Sequence, residues 1–358
     1  MGSVLPYLLL VTFAGPHWQQ LDDIAIERIN SLPYDGVAIA IMSAYSTDAV
    51  PSAIELEPVI ERVREGAKKH VWPWIFVNRI IGQSETAWAH ASARRRAYFQ
   101  RIRVIDIFDE AGALSDFYAL WRLGLQLAKE GGAPGIVVDW EAYNDYRSSS
   151  PLHIATKLNI SVDSVIEQLR TIGAQLADIT ASVYPSAKIW CLFTGLSAPN
   201  RYTIGAGRGC FMTASYIVLG MLERAKARDL KFSIISGGEM SLGYYSRSLS
   251  ELRRKISIRR RVMKGLLQKY NRWLALGGTI APFSNPDKLT DWLRRAVGSH
   301  PPYRSLEDFE PLFAELFRSY DYVWVYAAGA ANYRPFDERV ARDFHPTLRR
   351  IFMKLRRR

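Results

Sequence analysis

The sequence has little cysteine, a deficit of acidic charge and no long hydrophobic run. Its 358 residues include two cysteines, Cys191 and Cys210, which are too few for a disulfide framework or a cysteine metal site. We expect both thiols to be free and buried, although a single disulfide between them is the alternative. No apolar run reaches the roughly 18 residues that cross a bilayer, so we predict no membrane span.

The chain has fewer acidic than basic residues. It contains 35 Asp and Glu and 47 Lys and Arg, which gives a net charge of +12. This charge suits a polyanion, whether nucleic acid, an anionic membrane surface or an acidic polysaccharide, or else an arginine-rich surface in water. Together with the motifs below it leads us to expect a polysaccharide and no nucleic acid. The oligomeric state stays open.

Several well-known catalytic motifs are missing. There is no G-x-S-x-G, H-E-x-x-H or Walker-type run, which argues against serine hydrolases, zincins and P-loop enzymes. The first apolar run is followed by AGPHWQQ rather than a glycine-rich turn, which disfavours a doubly wound nucleotide fold. We therefore expect no cofactor and no metal.

The amino-terminal LPYLLLVTFAG resembles the apolar part of a signal peptide, but no Lys or Arg precedes it. We expect a first strand there. The compartment stays open: secreted or periplasmic if a signal peptide was removed, and cytoplasmic otherwise.

Apolar runs of strand length recur along the whole chain, at residues 7–15, 34–42, 70–78, 135–138, 188–195, 231–239, 277–285 and 320–329. Helix-period segments lie between most of them, at residues 57–69, 115–129, 161–182, 211–228, 248–274, 306–319 and 336–358. This alternation predicts parallel strands joined by crossovers, and eight strands favour a (β/α)8 TIM barrel. We expect one catalytic domain over residues 1–358, with a long loop insertion after strand 3 at residues 80–114.

Two helix starts have candidate caps. Ser115 or Asp116 is a plausible N-cap, and Ser164 with Glu167 has the spacing of a capping box.

The run GIVVDWEAYND, residues 135–145, is the most informative stretch. Four apolar or backbone-only residues without polar alternation predict a strand buried on both faces. The chain then becomes acidic and aromatic, so carboxylates are expected at the rim where the strand ends. Because side chains alternate along a strand, Asp139 and Glu141 should point one way and Trp140 the other.

In such barrels the chemistry lies at the carboxyl ends of the strands. Aromatic rings stack on sugar faces, while amides and acids bind hydroxyls. Residues of these types at the predicted strand ends are our substrate-binding candidates: His17, Tyr45, Asn78, Arg79, Tyr143, Asn144, Asn285, Trp324 and Tyr326. For Trp324 and Tyr326, which lie within an apolar strand, filling of the barrel is the competing interpretation.

Hydrolysis of a glycoside needs two carboxyl groups, one protonated and one ionised. We expect Glu141 as the general acid/base and Glu239 as the nucleophile or general base, with the roles interchangeable. Asp139 is the third catalytic candidate, because like-charge repulsion would favour the protonated form of one neighbour. A structural role for the Asp139 and Glu141 pair, and a plain turn at Glu239, are the competing interpretations.

GIVVDWE resembles the fourth-strand motif D-G-x-D-x-D-W-E of the chitinase-like glycoside hydrolases. The resemblance implies that Glu141 is the acid and that Asp139 orients the N-acetyl group of the substrate. The chain departs from the motif at Pro134 and Val137, where the family has its first two acids. The closing run VWVYAAG is similar to the aromatic eighth strand of many barrel glycosidases, so the likeness is to the barrel glycosidase superfamily and not to one family.

Two other functions stay open. A non-catalytic barrel that binds a polyanion would use the basic runs at residues 94–103, 252–264 and 356–358. A metal-dependent lyase or hydrolase would use Asp139, Glu141 and a histidine. Within the glycosidase interpretation, Arg79 and Arg334 are placed to bind an acidic sugar through paired hydrogen bonds.

Overall fold

The chain forms a closed barrel of eight parallel strands that follow one another in chain order. A computed structural model describes residues 6–12, 15–42, 50–76, 107–108, 111–140, 150–192, 194–196, 212–242, 246, 248–281, 307–327, 336 and 338–356. The strands are β1 (Tyr7–Thr12), β2 (Gly36–Ala40), β3 (His70–Phe76), β4 (Gly135–Asp139), β5 (Lys188–Cys191), β6 (Ser233–Ser236), β7 (Leu274–Ile280) and β8 (Tyr322–Ala327). The prediction of a (β/α)8 barrel is confirmed. Most of the predicted insertion after β3 lies outside the described residues.

Helices cover the outside of the barrel. In the described part of the chain they are α1 (Asp23–Ser31), α2 (Ala53–Gly66), α3 (Ala113–Glu130), α4 (Pro151–Leu158), α5 (Val162–Val183), α6 (Thr213–Arg228), α7 (Glu239–Leu242), α8 (Leu249–Lys269), α9 (Glu310–Ser319) and α10 (Glu338–Arg356). None of these helices is both long and apolar enough to cross a bilayer. The sequence patterns missed α1, α4 and α7, which are short or carry a weak apolar period.

Three local predictions are wrong. The helix predicted over residues 248–274 ends at Lys269, and a turn leads directly into β7 at Leu274. Apolar residues that continued the helical stripe already belong to the strand. The cap of α5 is Ser161, whose side chain accepts from the amide of Ser164, so Ser164 lies inside the helix and starts no capping box. Helix α3 begins at Ala113 without a side-chain cap, so neither Ser115 nor Asp116 caps it.

Inward-facing side chains form layers of four, contributed by alternate strands, as is usual in this fold. The strand register places one layer low in the barrel: Leu9, Trp72, Trp190 and Gly277. The next holds Ala38, Val137, Gly237 and Trp324, and the third holds Val11, Trp74, Leu192 and Thr279. Large and small residues share each layer, so four tryptophans fill the barrel without leaving a pore.

Packing within the layers shows why the small residues are needed. The rings of Trp72 and Trp190 meet edge to face with centroids 5.7 Å apart. The indole of Trp324 donates to the carbonyl oxygen of Gly237 at 3.0 Å, and a Cβ on Gly237 would lie 2.9 Å from the indole nitrogen. The same Cβ would lie 2.6 Å from the Leu192 carbonyl oxygen, so a larger residue at position 237 would displace the backbone at the end of β5 as well as this ring.

The outer shell lies between the strands and the helices. Trp140, which follows β4, is buried there with its ring centroid 6.3 Å from that of Trp121 on α3. The expected outward direction of Trp140 is therefore confirmed. Cys191 is a free buried thiol, as expected, and burial raises its pKa to about 12. Cys210 lies outside the described residues.

Candidate active site at the carboxyl end of the barrel

The uppermost inward-facing layer surrounds the mouth of the barrel. Asp139 ends β4 on the inward-facing side of the strand and pairs in register with Phe76. It is only 1% exposed. Tyr326 occupies the corresponding position on β8, which lies directly across the barrel from β4. The layer also contains Ala40 on β2, which has a small side chain.

The third layer closes the mouth from below. Val11, Trp74 and Leu192 are buried apolar residues, and Thr279 is the polar member of the layer. Within the described part of the chain, the buried hydroxyl of Thr279 has no hydrogen-bond partner. A buried hydroxyl without a partner is unfavourable, so the side chain has unused capacity directly beneath the mouth.

Glu239 stands at the end of β6, but as the first residue of the short helix α7 and not as a strand residue. Its amide donates to the carbonyl oxygen of Leu192 at 3.2 Å, and the amide of Gly237 donates to that of Cys191 at 2.7 Å. Gly238 between them adopts φ +91°, a conformation that side chains other than glycine rarely tolerate. This turn keeps Glu239 over the end of β5, and its side chain is half-buried.

Sequence reasoning missed a buried polar network behind this turn. Arg259 of α8 is 1% exposed and donates to the carbonyl oxygens of Ser236 and Gly277. The hydroxyl of Ser236 also bonds with that of Thr194 at 3.0 Å. Burial lowers the pKa of the Arg259 guanidinium below its ordinary value. The sequence did contain a signal, because Arg259 falls on the buried stripe of α8 with Leu252, Ile256 and Met263.

His17 is not brought together with Asp139. It precedes a single 3-10 turn, Trp18–Gln20, and its amide donates to the Gln20 side chain at 2.9 Å. The ring of Trp18 reaches to 3.6 Å from where a Cβ on Gly131 would lie, after the end of α3. The chain has therefore turned away from the mouth along the outside of the barrel. Burial lowers the pKa of the half-buried His17.

Of the other predicted substrate-binding residues, Tyr326 lies at the mouth. Trp324 is completely buried one layer lower, so it fills the barrel, which was one of the two interpretations of that residue. The remaining candidates lie outside the described residues: Glu141, Tyr45, Asn78, Arg79, Tyr143, Asn144 and Asn285. Among the described residues, no three His, Cys, Asp or Glu side chains are grouped closely enough to hold a metal ion.

Comparisons with known proteins give likeness of fold at low identity. No family model matches the sequence, and no curated protein matches it. Among solved structures, a GH18 chitinase from Pseudoalteromonas aurantia is 9% identical with a TM-score of 0.44, covering 97% of this chain and 99% of that one. A GH5-4 endoglucanase from an uncultured bacterium is 9% identical with a TM-score of 0.47, covering 96% and 95%.

A third similar structure, a 3-keto-D-glucoside 4-epimerase from E. coli, is 14% identical with a TM-score of 0.39 and covers 98% and 99%. Likeness at this distance assigns neither a reaction nor a residue.

Proposed function

We propose that this protein is a glycoside hydrolase that cleaves an oligo- or polysaccharide by carboxylate acid/base catalysis. The observation that carries the proposal is the composition of the mouth layer. It holds a buried carboxyl group, Asp139, directly across from a phenol, Tyr326, above a layer of buried side chains that is apolar apart from Thr279. A sugar needs these two features, because a ring binds its apolar face and an acid binds its hydroxyls.

The catalytic pair in this proposal is Glu141 and Glu239. Glu141 follows Asp139 by two positions, and Glu239 begins α7 at the end of β6. In a glycosidase one such carboxyl protonates the leaving oxygen, while the other attacks the anomeric carbon or activates water. Asp139 then serves beside Glu141, where it favours the protonated form of its neighbour or binds the substrate.

A turnover screen with aryl glycosides and polysaccharides, uronate-containing ones included, tests the proposal. Glu141→Gln and Glu239→Gln should each lower kcat by about 10²-fold or more, because acid/base catalysis contributes that much, while substrate still binds. The matched control is Glu223→Gln on α6, a half-buried glutamate on the outside of the barrel that is 3.9 Å from Arg170. It should leave turnover unchanged. Full activity in both active-site variants would refute the assignment.

A specific observation supports one second candidate, a non-catalytic barrel that binds a polyanion. Helix α8 exposes Arg254, Arg261 and Lys264, while Glu251 is its one acidic residue. If the protein only binds a polyanion, the Gln variants should change its affinity little. The affinity for an acidic polysaccharide should then fall steeply with added salt. The screen therefore separates the two functions.

A further inference from the structure

Arg259 is a fully buried arginine whose partners in the described part of the chain are neutral. Its Nη1 donates to the carbonyl oxygen of Gly277 at 2.5 Å, and its Nη2 donates to the carbonyl oxygen of Ser236 at 2.6 Å. Nη2 also lies 3.2 Å from the Ser236 hydroxyl, and the guanidinium carbon lies 5.4 Å from the ring centre of Tyr320. A buried cation is costly unless its donors are used, and Nε has no partner among the described residues, so the bonds of Nη1 and Nη2 are what offset this cost.

The location of the guanidinium explains its partners. Strand β6 ends at Ser236, whereas its neighbour β7 continues to Ile280. Among the described residues, no strand pairs with β7 on that side above this level, because the chain turns away at Gly237. The side chain of Arg259 extends from α8 and donates hydrogen bonds to strand carbonyl groups at the point where β6 and β7 separate. Its planar fork can serve both strands at once, which a lysine cannot do.

The same guanidinium fixes the turn that leads to Glu239. A Cβ on Gly238 would lie 2.6 Å from Arg259 Nη1, so the backbone of the turn packs directly on the cation. On the inner side, Trp324 donates to the carbonyl oxygen of Gly237 at 3.0 Å. The turn is thus held between Arg259 outside the barrel and Trp324 inside it, and Glu239 is the next residue.

We infer that Arg259 is a positioning residue that holds the Gly237–Gly238 turn and thereby keeps Glu239 at the mouth. It acts through the backbone and not through an ion pair with the substrate. The consequence for catalysis rests on the proposed function, whereas the holding of the turn does not.

Hydrogen–deuterium exchange tests the holding of the turn without any substrate. The Gly237 and Glu239 amides bond to strand β5, so their exchange reports whether the turn stays closed. In Arg259→Lys and Arg259→Met, exchange in a peptide covering residues 237–242 should rise by about tenfold or more, which corresponds to the loss of one charge-assisted bond. Arg260→Met is the matched control, because that exposed neighbour also lies over the Tyr320 ring, 5.8 Å from its centre, but its hydrogen bond goes to the Ser319 carbonyl oxygen and not to β6 or β7.

The inference is overturned if exchange at residues 237–242 is unchanged in Arg259→Lys, which keeps the charge and is the milder variant. It is also overturned if protection falls equally throughout β6, β7 and α8, because Arg259 would then stabilise the fold in general. Arg260→Met should leave the exchange of this peptide within twofold of the wild-type value.

Kinetics provide the second arm once a substrate is found. Arg259→Lys should lower kcat by at least about tenfold and leave KM within about twofold, since the variant misplaces a catalytic group and removes no substrate contact. A raised KM with unchanged kcat would contradict the inference. If no glycan is hydrolysed at all, the proposed function fails, and the exchange experiment alone decides the role of Arg259.

Discussion

At the amino end of the barrel partly exposed polar side chains bond to one another, whereas at the carboxyl end the carboxyl group of Asp139 is buried at the mouth. The hydroxyl of Tyr7 accepts from the Trp72 indole at 2.9 Å and bonds with His70 at the same distance. Beside them Asp35 accepts from the Leu8 amide at 2.8 Å and pairs with Arg356 at the end of α10. At the other end, Asp139 is buried at the mouth.

We interpret this difference between the two ends as a division between residues that stabilise the barrel and residues proposed to act on a substrate. Burial raises the pKa of Tyr7 above its ordinary value, so the phenol stays protonated. It therefore remains a stable hydrogen-bonding partner at the amino end of the barrel. In barrels of this kind the amino end is usually devoted to stability and the carboxyl end to function. We expect the layered tryptophans between them to keep changes at one end from reaching the other.

The largest expected effect is at the carboxyl end. Asp139→Asn keeps the shape of the side chain but removes its charge, so turnover of a glycan substrate should fall by about 10²-fold or more. The matched control is Asp35→Asn at the amino end, which should leave kcat unchanged and cost about 1 kcal/mol of stability through the weakened pairing with Arg356. Equal effects on activity would remove the distinction between the two ends.

Truncation of a tryptophan low in the barrel should lower the stability of the fold and leave activity nearly unchanged. Trp72→Ala removes a buried ring that packs on Trp190 and bonds to Tyr7, so we expect the free energy of unfolding to fall by about 3–5 kcal/mol. Urea denaturation measures this loss, and kcat at a temperature where the variant stays folded should be near that of the wild type. A tenfold loss of kcat in the folded variant would show that the layers transmit the change.

The smallest expected effect concerns pH and the closing helix α10. Burial lowers the pKa of His345 to about 4, whereas an unfolded histidine titrates near 6.5. Between these values the unfolded chain binds a proton that the folded one does not, so stability falls as pH drops from 6.5 towards 4. His345→Gln should reduce the difference in urea midpoint between pH 7 and pH 5. An identical difference in variant and wild type would contradict this prediction.

The barrel was predictable because each buried strand is a short apolar run, and the runs alternate with helical periods. β3 and β8 lie within the predicted segments, and in each the apolar residues continue to the strand end. The ends of helices and strands were less predictable where the same apolar residues fit both a helix and a strand. Leu274 continues the stripe of α8 in sequence but starts β7, because the turn at Tyr270–Trp273 intervenes.

The candidate site was predictable only in part. Asp139 was found because an acid directly follows a buried strand, and alternation gave its direction. His17 lies at a turn on the outside of the barrel, since proximity in sequence to the end of β1 does not keep a residue at the mouth. Arg259 was missed, because a basic run is usually exposed and only packing shows which arginine is buried.

The sequence alone determined the eight buried strands, the acid at the end of β4 and the outward turn of Trp140, since these follow from local alternation and apolar content. The tertiary structure decided that Asp139 and Tyr326 share one layer and that Arg259 fills the gap where β6 ends. Those relations depend on strand register and on which helix packs over which strands. Both arise from contacts between residues far apart in the chain, which no local pattern encodes.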